Sequence, residues 1–290
     1  MNARNQGFTL PELLVVTLIG AVVLTAVYQT LTIQERSNRQ QIAVVTTQQN
    51  TRVAIALIAG DLREVSAKDG DVLDATSTNI RYRALRKTGI VCHRDYSGGN
   101  NWMHVVSLGQ DFDNQDSLLI FQEGTSKTAA LDDGWITARV NNVSGGTLCP
   151  GYTAAGAVNK QQLQFPGNNI GTTDTGSLVR SFVHVGYRAV NIGGKRTLFR
   201  IETKSNSSGT FTTDSVAVVE DLAETDGLRL QYYDSAGTQI TPSTAALRAK
   251  IMRIEIKARG SVIGGQSGSR RVYSDSLIGQ VYLRGNNRTT

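Results

Sequence analysis

From Phe8 to Ile33 the chain is apolar at almost every position, with Glu12 its single charge. A run of about 26 residues exceeds the ~20 that a helix needs to cross the hydrocarbon core of a bilayer. A secretory signal carries a shorter apolar stretch, roughly 7–15 residues, with a small-residue cleavage site behind it. Here the small residue, Gly7, stands in front of the run, at the end of the polar segment MNARNQG, whose only charge is Arg4. This order predicts a retained anchor with a processing point on its polar side. The mean hydropathy of the whole chain, −0.20, leaves room for that one anchor and excludes a protein that crosses the membrane many times.

Two residues near the start need separate reasons. A carboxylate near the beginning of a membrane helix costs about 2.5–3.5 kcal/mol on insertion scales. Glu12 either rests in the headgroup layer, where the positive end of the helix favours it, or neutralises a cation once chains pack together. Pro11 lacks an N–H, and its ring clashes with the carbonyl four residues back. A cut before Phe8 makes Pro11 the fourth residue of the mature chain and removes the clashing carbonyl. The first four N–H groups of a helix have no intrahelical partner in any case.

The segment Gly7-Phe8-Thr9-Leu10-Pro11-Glu12-Leu13-Leu14 resembles the processing motif of type IV prepilins and type II secretion pseudopilins. The resemblance implies that prepilin peptidase cuts between Gly7 and Phe8 and that the new amine of Phe8 is methylated. It also implies that Glu12 pairs with the N-terminal amine of a neighbouring subunit during assembly.

Beyond the apolar run, residues 29–50 are rich in Gln, Thr, Asn and Arg. Val53, Ala56, Leu57 and Ala59, with Ile55, Ile58, Leu62 and Val65, then recur at three- and four-residue steps, which predicts an amphipathic helix with one buried side. No proline interrupts residues 12–65. One helix from Phe8 to about Val65 is therefore expected, about 87 Å long at 1.5 Å per residue. The expected organisation is a leader peptide at 1–7, a membrane and assembly half of the helix at 8–33, an amphipathic half at 34–67 and a head at 68–290. The segment QNTRVAIALIAGDLREVSA is similar to the corresponding stretch of PilW-like minor pilins and of the related J-type pseudopilins.

The head reads as sheet. Ile80, Tyr82 and Ala84 alternate with Arg81 and Arg83; Val183, Val185 and Tyr187 alternate with His184 and Arg188. Asn191-Ile192-Gly193-Gly194 reads as a hairpin turn into Leu198 to Ile201. Leu228, Leu230 and Tyr232 form another strand that stops at Asp234-Ser235-Ala236-Gly237, and further strands follow at Ile254 to Ala258 and Leu277 to Leu283. A long N-terminal helix followed by strands predicts an α+β fold, a helix packed on an antiparallel sheet. The stretches 179–202, 228–237, 251–257 and 280–284 are similar to the C-terminal half of PilW-like proteins. The region from about 89 to 174 resembles them less and reads as an insertion of Gly- and Asn-rich loops.

That insertion holds both cysteines, Cys92 and Cys149, in loop-like context. In an exported head the oxidising compartment makes a disulfide the default; the alternative is two buried thiols. The chain carries 30 Lys and Arg against 24 Asp and Glu, a mild excess spread along its length. Arg81, Arg83, Arg86 and Lys87, with Arg270 and Arg271, are the only clusters that would favour nucleic acid as a partner. Asp111, Asp113 and Asp116 offer oxygen ligands of the kind calcium takes, without the glycine and distal glutamate of an EF-hand loop. Gly194-Lys195 lacks the rest of a phosphate loop, and Gly265 to Ser269 misses the nucleophile elbow at its last residue.

No catalytic site, cofactor or small-molecule substrate is expected. The expected function is that of a minor pilin-like structural subunit of a type IV pilus or pilus-like filament, acting in assembly or initiation. The alternatives are a minor pseudopilin of a type II secretion system and a DNA-capturing pilin of natural transformation. The expected partners are prepilin peptidase, other major and minor pilins, the inner-membrane assembly platform and the inner membrane itself. The expected location is a single inner-membrane span with the head in the periplasm, and then the pilus at the cell surface.

Overall fold

The computed structural model describes residues 9–95, 101–124, 133–145, 149, 159–166, 170–171, 173–193, 195–205, 210–264 and 271–284. Its first element is a single helix, α1 (Leu10–Leu62), of 53 residues, about 80 Å long at 1.5 Å per residue. Thr9 is its N-cap and Pro11 lies in its first turn, where a missing donor costs nothing. Phe8, the expected first residue, lies outside the described residues. After Arg63 the chain closes a tight turn, with the Val65 N–H on the Leu62 carbonyl and the Ser66 N–H on Asp71 Oδ2 at 3.0 Å.

The buried stripe of α1 is Thr47, Thr51, Ala54, Ile55, Ile58, Ala59 and Leu62. This corrects the expected face in part: Val53 is 45% exposed and Leu57 38%, and Ala56 is exposed as well. Apolar residues line two adjacent arcs of this helix, so periodicity alone does not choose between them. The sheet chooses. A Cβ on Gly260 would collide with Thr47 Cγ2, and one on Gly279 with Ile55 Cγ2. These two glycines form a notch into which the β-branched side of the helix settles.

Among the described residues the sheet has 14 strands, all paired antiparallel. β1 (Val72–Ala75) pairs with the start of β2 (Asn79–Asp95), in which Ile80 and Tyr82 are buried and Arg81 is exposed, as the alternation predicts. β8 (Leu178–Ile192), β9 (Lys195–Ser205) and β10 (Phe211–Leu222) follow across the sheet from β2. Ile192 pairs with Lys195, so the turn between β8 and β9 is a two-residue hairpin with Gly193 at φ 60°, a left-handed conformation that glycine adopts without steric cost. β10 shifts register and bends at Asp221, φ 59°, and Leu222 then pairs with Gly260 of β13 (Arg253–Gly264). β13 is flanked by β11 (Leu228–Tyr233) and by β14 (Arg271–Tyr282). The two-residue strand β12 (Gln239–Ile240) and the single-turn helix α2 (Ala245–Arg248) complete this part. The amphipathic half of α1 packs on β10, β13 and β14 over one apolar core.

The region expected to be loops contains strands and a core of its own. β3 (Asn101–Ser107), β4 (Ser117–Gln122), β5 (Gly134–Arg139), β6 (Asn142–Gly145) and β7 (Lys160–Phe165) extend the sheet. Met103, Val105, Leu118, Ile120, Leu163 and Phe165 meet Val91 of β2 and Val179 of β8 in this second core. Position 89 lies inside β2, and Cys92 is a strand residue rather than a loop residue. Two-residue alternation is diluted here by bulges, as between Val91 and His93, which is why the pattern reads as loop.

The glycine notch gives a test. Gly279→Ala should lower stability by about 1–3 kcal/mol through overpacking. Combined with Ile55→Ala it should cost less than the two single changes together, because the second change removes the colliding group. Denaturant midpoints of the four proteins measure this; simple additivity would mean that the notch does not seat the helix.

Candidate assembly site on the N-terminal helix

Gly7 and Phe8 lie outside the described residues, so the site begins at Thr9. Its backbone N–H and hydroxyl point to Glu12 Oε2 at 3.5 and 3.4 Å. Glu12 thus folds back on the N-cap, in the arrangement of a capping box, and its charge sits at the positive end of the helix dipole. The following residues present apolar side chains outward, with Leu10 81% exposed. The most apolar 18-residue window has a mean hydropathy of 2.3, and none of it is buried by the rest of the described protein. Four threonines in this stretch turn their hydroxyls back onto the helix: Thr17 to the Leu14 carbonyl, Thr25 to Ala21, Thr30 to Ala26 and Thr32 to Gln29, at 2.8–3.0 Å. Each hydroxyl is satisfied locally, as an apolar surrounding requires.

The other end of α1 is clasped to the sheet by Asp61. Its Oδ2 accepts hydrogen bonds from the hydroxyls of Tyr82 and Tyr187, both at 2.9 Å, and from Arg200 Nε at 3.3 Å. Tyr82 and Tyr187 are fully buried. Burial, and after it the charge of Asp61, pushes both phenols above the usual tyrosine range. Arg200 also donates to Glu202 at 2.8 Å, and Glu202 takes Arg86 at 3.1 Å and Lys204 at 3.0 Å. Burial alone would raise the Glu202 carboxyl, but the hydrogen bonds from Arg200 and Lys204 and the charge of Arg86 hold it below the usual range. Sequence reading missed this clasp. The available signal was an acidic residue, Asp61, flanked on the helix by Ile58 and Leu62 of the buried stripe.

The residues proposed for other chemistry are engaged with one another. Lys87 Nζ lies 2.6 Å from Asp113 Oδ2 and 2.9 Å from Asp116 Oδ2. The acidic turn considered for calcium therefore holds an ammonium group, while Asp111 accepts from Asn159 Nδ2 at 2.8 Å. Of the basic cluster, Lys87 and Arg86 are ion-paired, Arg83 lies 5.3 Å over the Phe182 ring and Arg81 is exposed. Arg270 lies outside the described residues, and Arg271 opens β14. Cys92 and Cys149 form a disulfide, with Cα atoms 5.2 Å apart, buried against Val106. By the loop-entropy relation, closing 57 positions contributes about 4 kcal/mol. Among the described residues, no group of three or more His, Cys, Asp or Glu is placed to hold a metal ion.

The family described as the prokaryotic N-terminal methylation motif matches residues 2–28. Neither a curated protein nor a solved structure matches the chain. The motif supports a type IV pilin-like or pseudopilin-like protein, a class of structural subunits, and implies processing by prepilin peptidase and assembly with other pilins. The exposed apolar helix fits an inner-membrane anchor with a periplasmic head.

The clasp should show itself in two measurements on the full chain in detergent. Asp61→Ala strands two buried hydroxyls and should cost roughly 2–5 kcal/mol, against about 1 kcal/mol for Tyr82→Phe. Stability should hold up to the pH where unfolded tyrosines ionise, near 10, and then fall. Above that pH the unfolded chain releases protons that folded Tyr82 and Tyr187 retain, so the unfolded state gains. Denaturant midpoints between about pH 8 and 11 follow this; an equal fall in the Tyr82→Phe/Tyr187→Phe protein would assign it elsewhere.

Proposed function

We propose that the protein is a minor pilin-like subunit of a type IV pilus or pilus-like filament, acting in its assembly or initiation. The observation that carries this reading is a helix with a wholly exposed apolar half, headed by the prepilin motif and locked at its far end to a sheet head. Residues 1–7 are the leader; cleavage between Gly7 and Phe8 frees the amine that is methylated. Residues 8–33 serve first as a membrane span and then as the packing element, 34–67 carry the head, and 68–290 supply partner contacts. The assembly platform and other pilins are the partners.

Glu12 is the assembly group. It stands one turn from the end at which cleavage creates an amine, and its fold-back on Thr9 aims the carboxylate toward that end. Two unit charges 4 Å apart attract by about 1 kcal/mol in water and by about 4 kcal/mol at an effective dielectric near 20. Packing of helices removes water and moves the pair toward the second figure. A pairing with a neighbour's amine then offsets the desolvation of Glu12 and sets the axial register between subunits.

The internal pairing of Lys87 and Arg86 argues for the structural role over DNA capture. The extended second core favours a pilin over a type II secretion pseudopilin.

Mass spectrometry of the protein from its native membrane should show a chain that starts at Phe8 with a methylated amine. An intact Met1 in assembled material would remove the reading. Glu12→Leu should leave cleavage and insertion intact while reducing crosslinks to neighbouring pilins at equal membrane abundance. Unchanged crosslinking would mean that the charge does not guide assembly.

A further inference from the structure

Positive charge gathers on the part of the head that turns away from α1. In β11 and β13, Leu228, Leu230, Tyr232, Ile254, Ile256 and Ala258 enter the first core, so their alternate neighbours point outward. Those neighbours meet in rows across three strands: Arg229 opposite Lys257 opposite Ile278, and Tyr233 opposite Arg253 opposite Tyr282. Arg259 stands two positions beyond Lys257 on β13 and donates to Ser274 Oγ of β14 at 3.1 Å. Glu255, between the two rows, is the single carboxylate on the outward positions of these strands, and it accepts from Gln280 at 3.2 Å. Among the described residues none of the four cations has an ion-pair partner. Like charges directly opposed on a ladder destabilise it, so Arg229 facing Lys257 is a cost that the isolated head bears.

The same three strands end in an open edge. Among the described residues β14 pairs with β13 alone, over 12 residues, about 40 Å of strand. Natural edge strands are blunted by lysine, by proline or by a bulge. β14 contains no lysine and no proline, and its register with β13 runs unbroken from Arg271 to Tyr282. Leu277, Ile278 and Tyr282 are 39%, 54% and 64% exposed. α1 meets the face of β14, at Gly279, and leaves the edge open.

We propose that β14 takes up one further strand from a partner protein, an extended segment that alternates acidic and apolar side chains. Such a strand completes the ladder with its backbone. Its outward carboxylates lie beside the cations of β13, of which Arg259 already reaches across β14. Its inward apolar residues continue the core next to Leu277, which faces the α1 side with Ala258. Recognition of this kind draws affinity from main-chain bonds and specificity from alternate side chains. A single-stranded nucleic acid fits less well, because it leaves the N–H and C=O groups of the edge unpaired. The Tyr233 ring, on which a base would stack, already has Arg253 over it at 4.0 Å. The inference concerns the head and holds whether or not α1 assembles into a filament.

The test uses the full chain in detergent and three probes at one low salt concentration. They are a peptide of the length of β14 that alternates Glu and Val, its Lys-Val counterpart, and oligothymidylate. The expected result is binding of the Glu-Val peptide alone, with the amides of β14 gaining protection from hydrogen exchange. Arg259→Glu should weaken that binding by at least about tenfold, since an attraction becomes a repulsion. Lys257→Gln should also weaken it, while the denaturant midpoint of the free chain stays equal or rises, because the charge opposite Arg229 is gone. Both side chains lie on the outward face, so the variants keep the fold. No binding of the Glu-Val peptide, binding without protection of β14, equal binding of the Lys-Val peptide, or tighter binding of oligothymidylate would overturn the proposal.

Discussion

One carboxylate oxygen holds the helix to the head. Apolar packing between a helix and a sheet is non-directional and tolerates rotation and sliding by small amounts. Three donors converging on Asp61 Oδ2 do not tolerate either, because hydrogen bonds weaken steeply as their geometry degrades. The donors come from β2, β8 and β9, so the clasp ties three strands to one point of α1. Lower on the helix, the notch at Gly260 and Gly279 fixes which side meets the sheet. At its end, the Arg284 N–H donates to the Val65 carbonyl and joins the last strand to the same corner. Together these contacts set the direction in which Ile42, Val45, Val53 and Leu57 face outward.

The two cores share their strands. β2, with 17 residues, reaches about 56 Å at 3.3 Å per residue, and it lines the first core through Ile80 and Tyr82 and the second through Val91. β8 does the same through Tyr187 and Val179. The second core is therefore a continuation of the sheet rather than an appendage on a flexible tether. At the junction lies a cleft of about 520 Å³ lined by Lys87, Asp116, Phe182, His184, Glu202 and Phe211. Its charges are satisfied internally, by Lys87 with Asp113 and Asp116 and by Glu202 with Arg86, Arg200 and Lys204. Several of the basic residues that make the chain mildly cationic are spent on joining elements, which weakens any argument from net charge to an anionic partner.

Much of the architecture was legible before any coordinates. The apolar run and its length determined one long helix with an exposed apolar half, of the length that hydrocarbon thickness and helical rise ask of a span. Alternation placed the strands at Ile80–Ala84, Val183–Tyr187, Leu228–Tyr232 and Ile254–Ala258, since each turns one face into the core to which α1 contributes. Tertiary structure decided what depends on a partner far along the chain. The stripe of α1 that is buried was set by glycines at 260 and 279, roughly 200 residues away in sequence. Asp61 became a clasp only because Tyr82, Tyr187 and Arg200 converge on it. The acidic turn at 111–116 became the seat of Lys87. Periodicity reports that a face will be buried; which groups it meets is a property of distant chain segments brought together by the sheet.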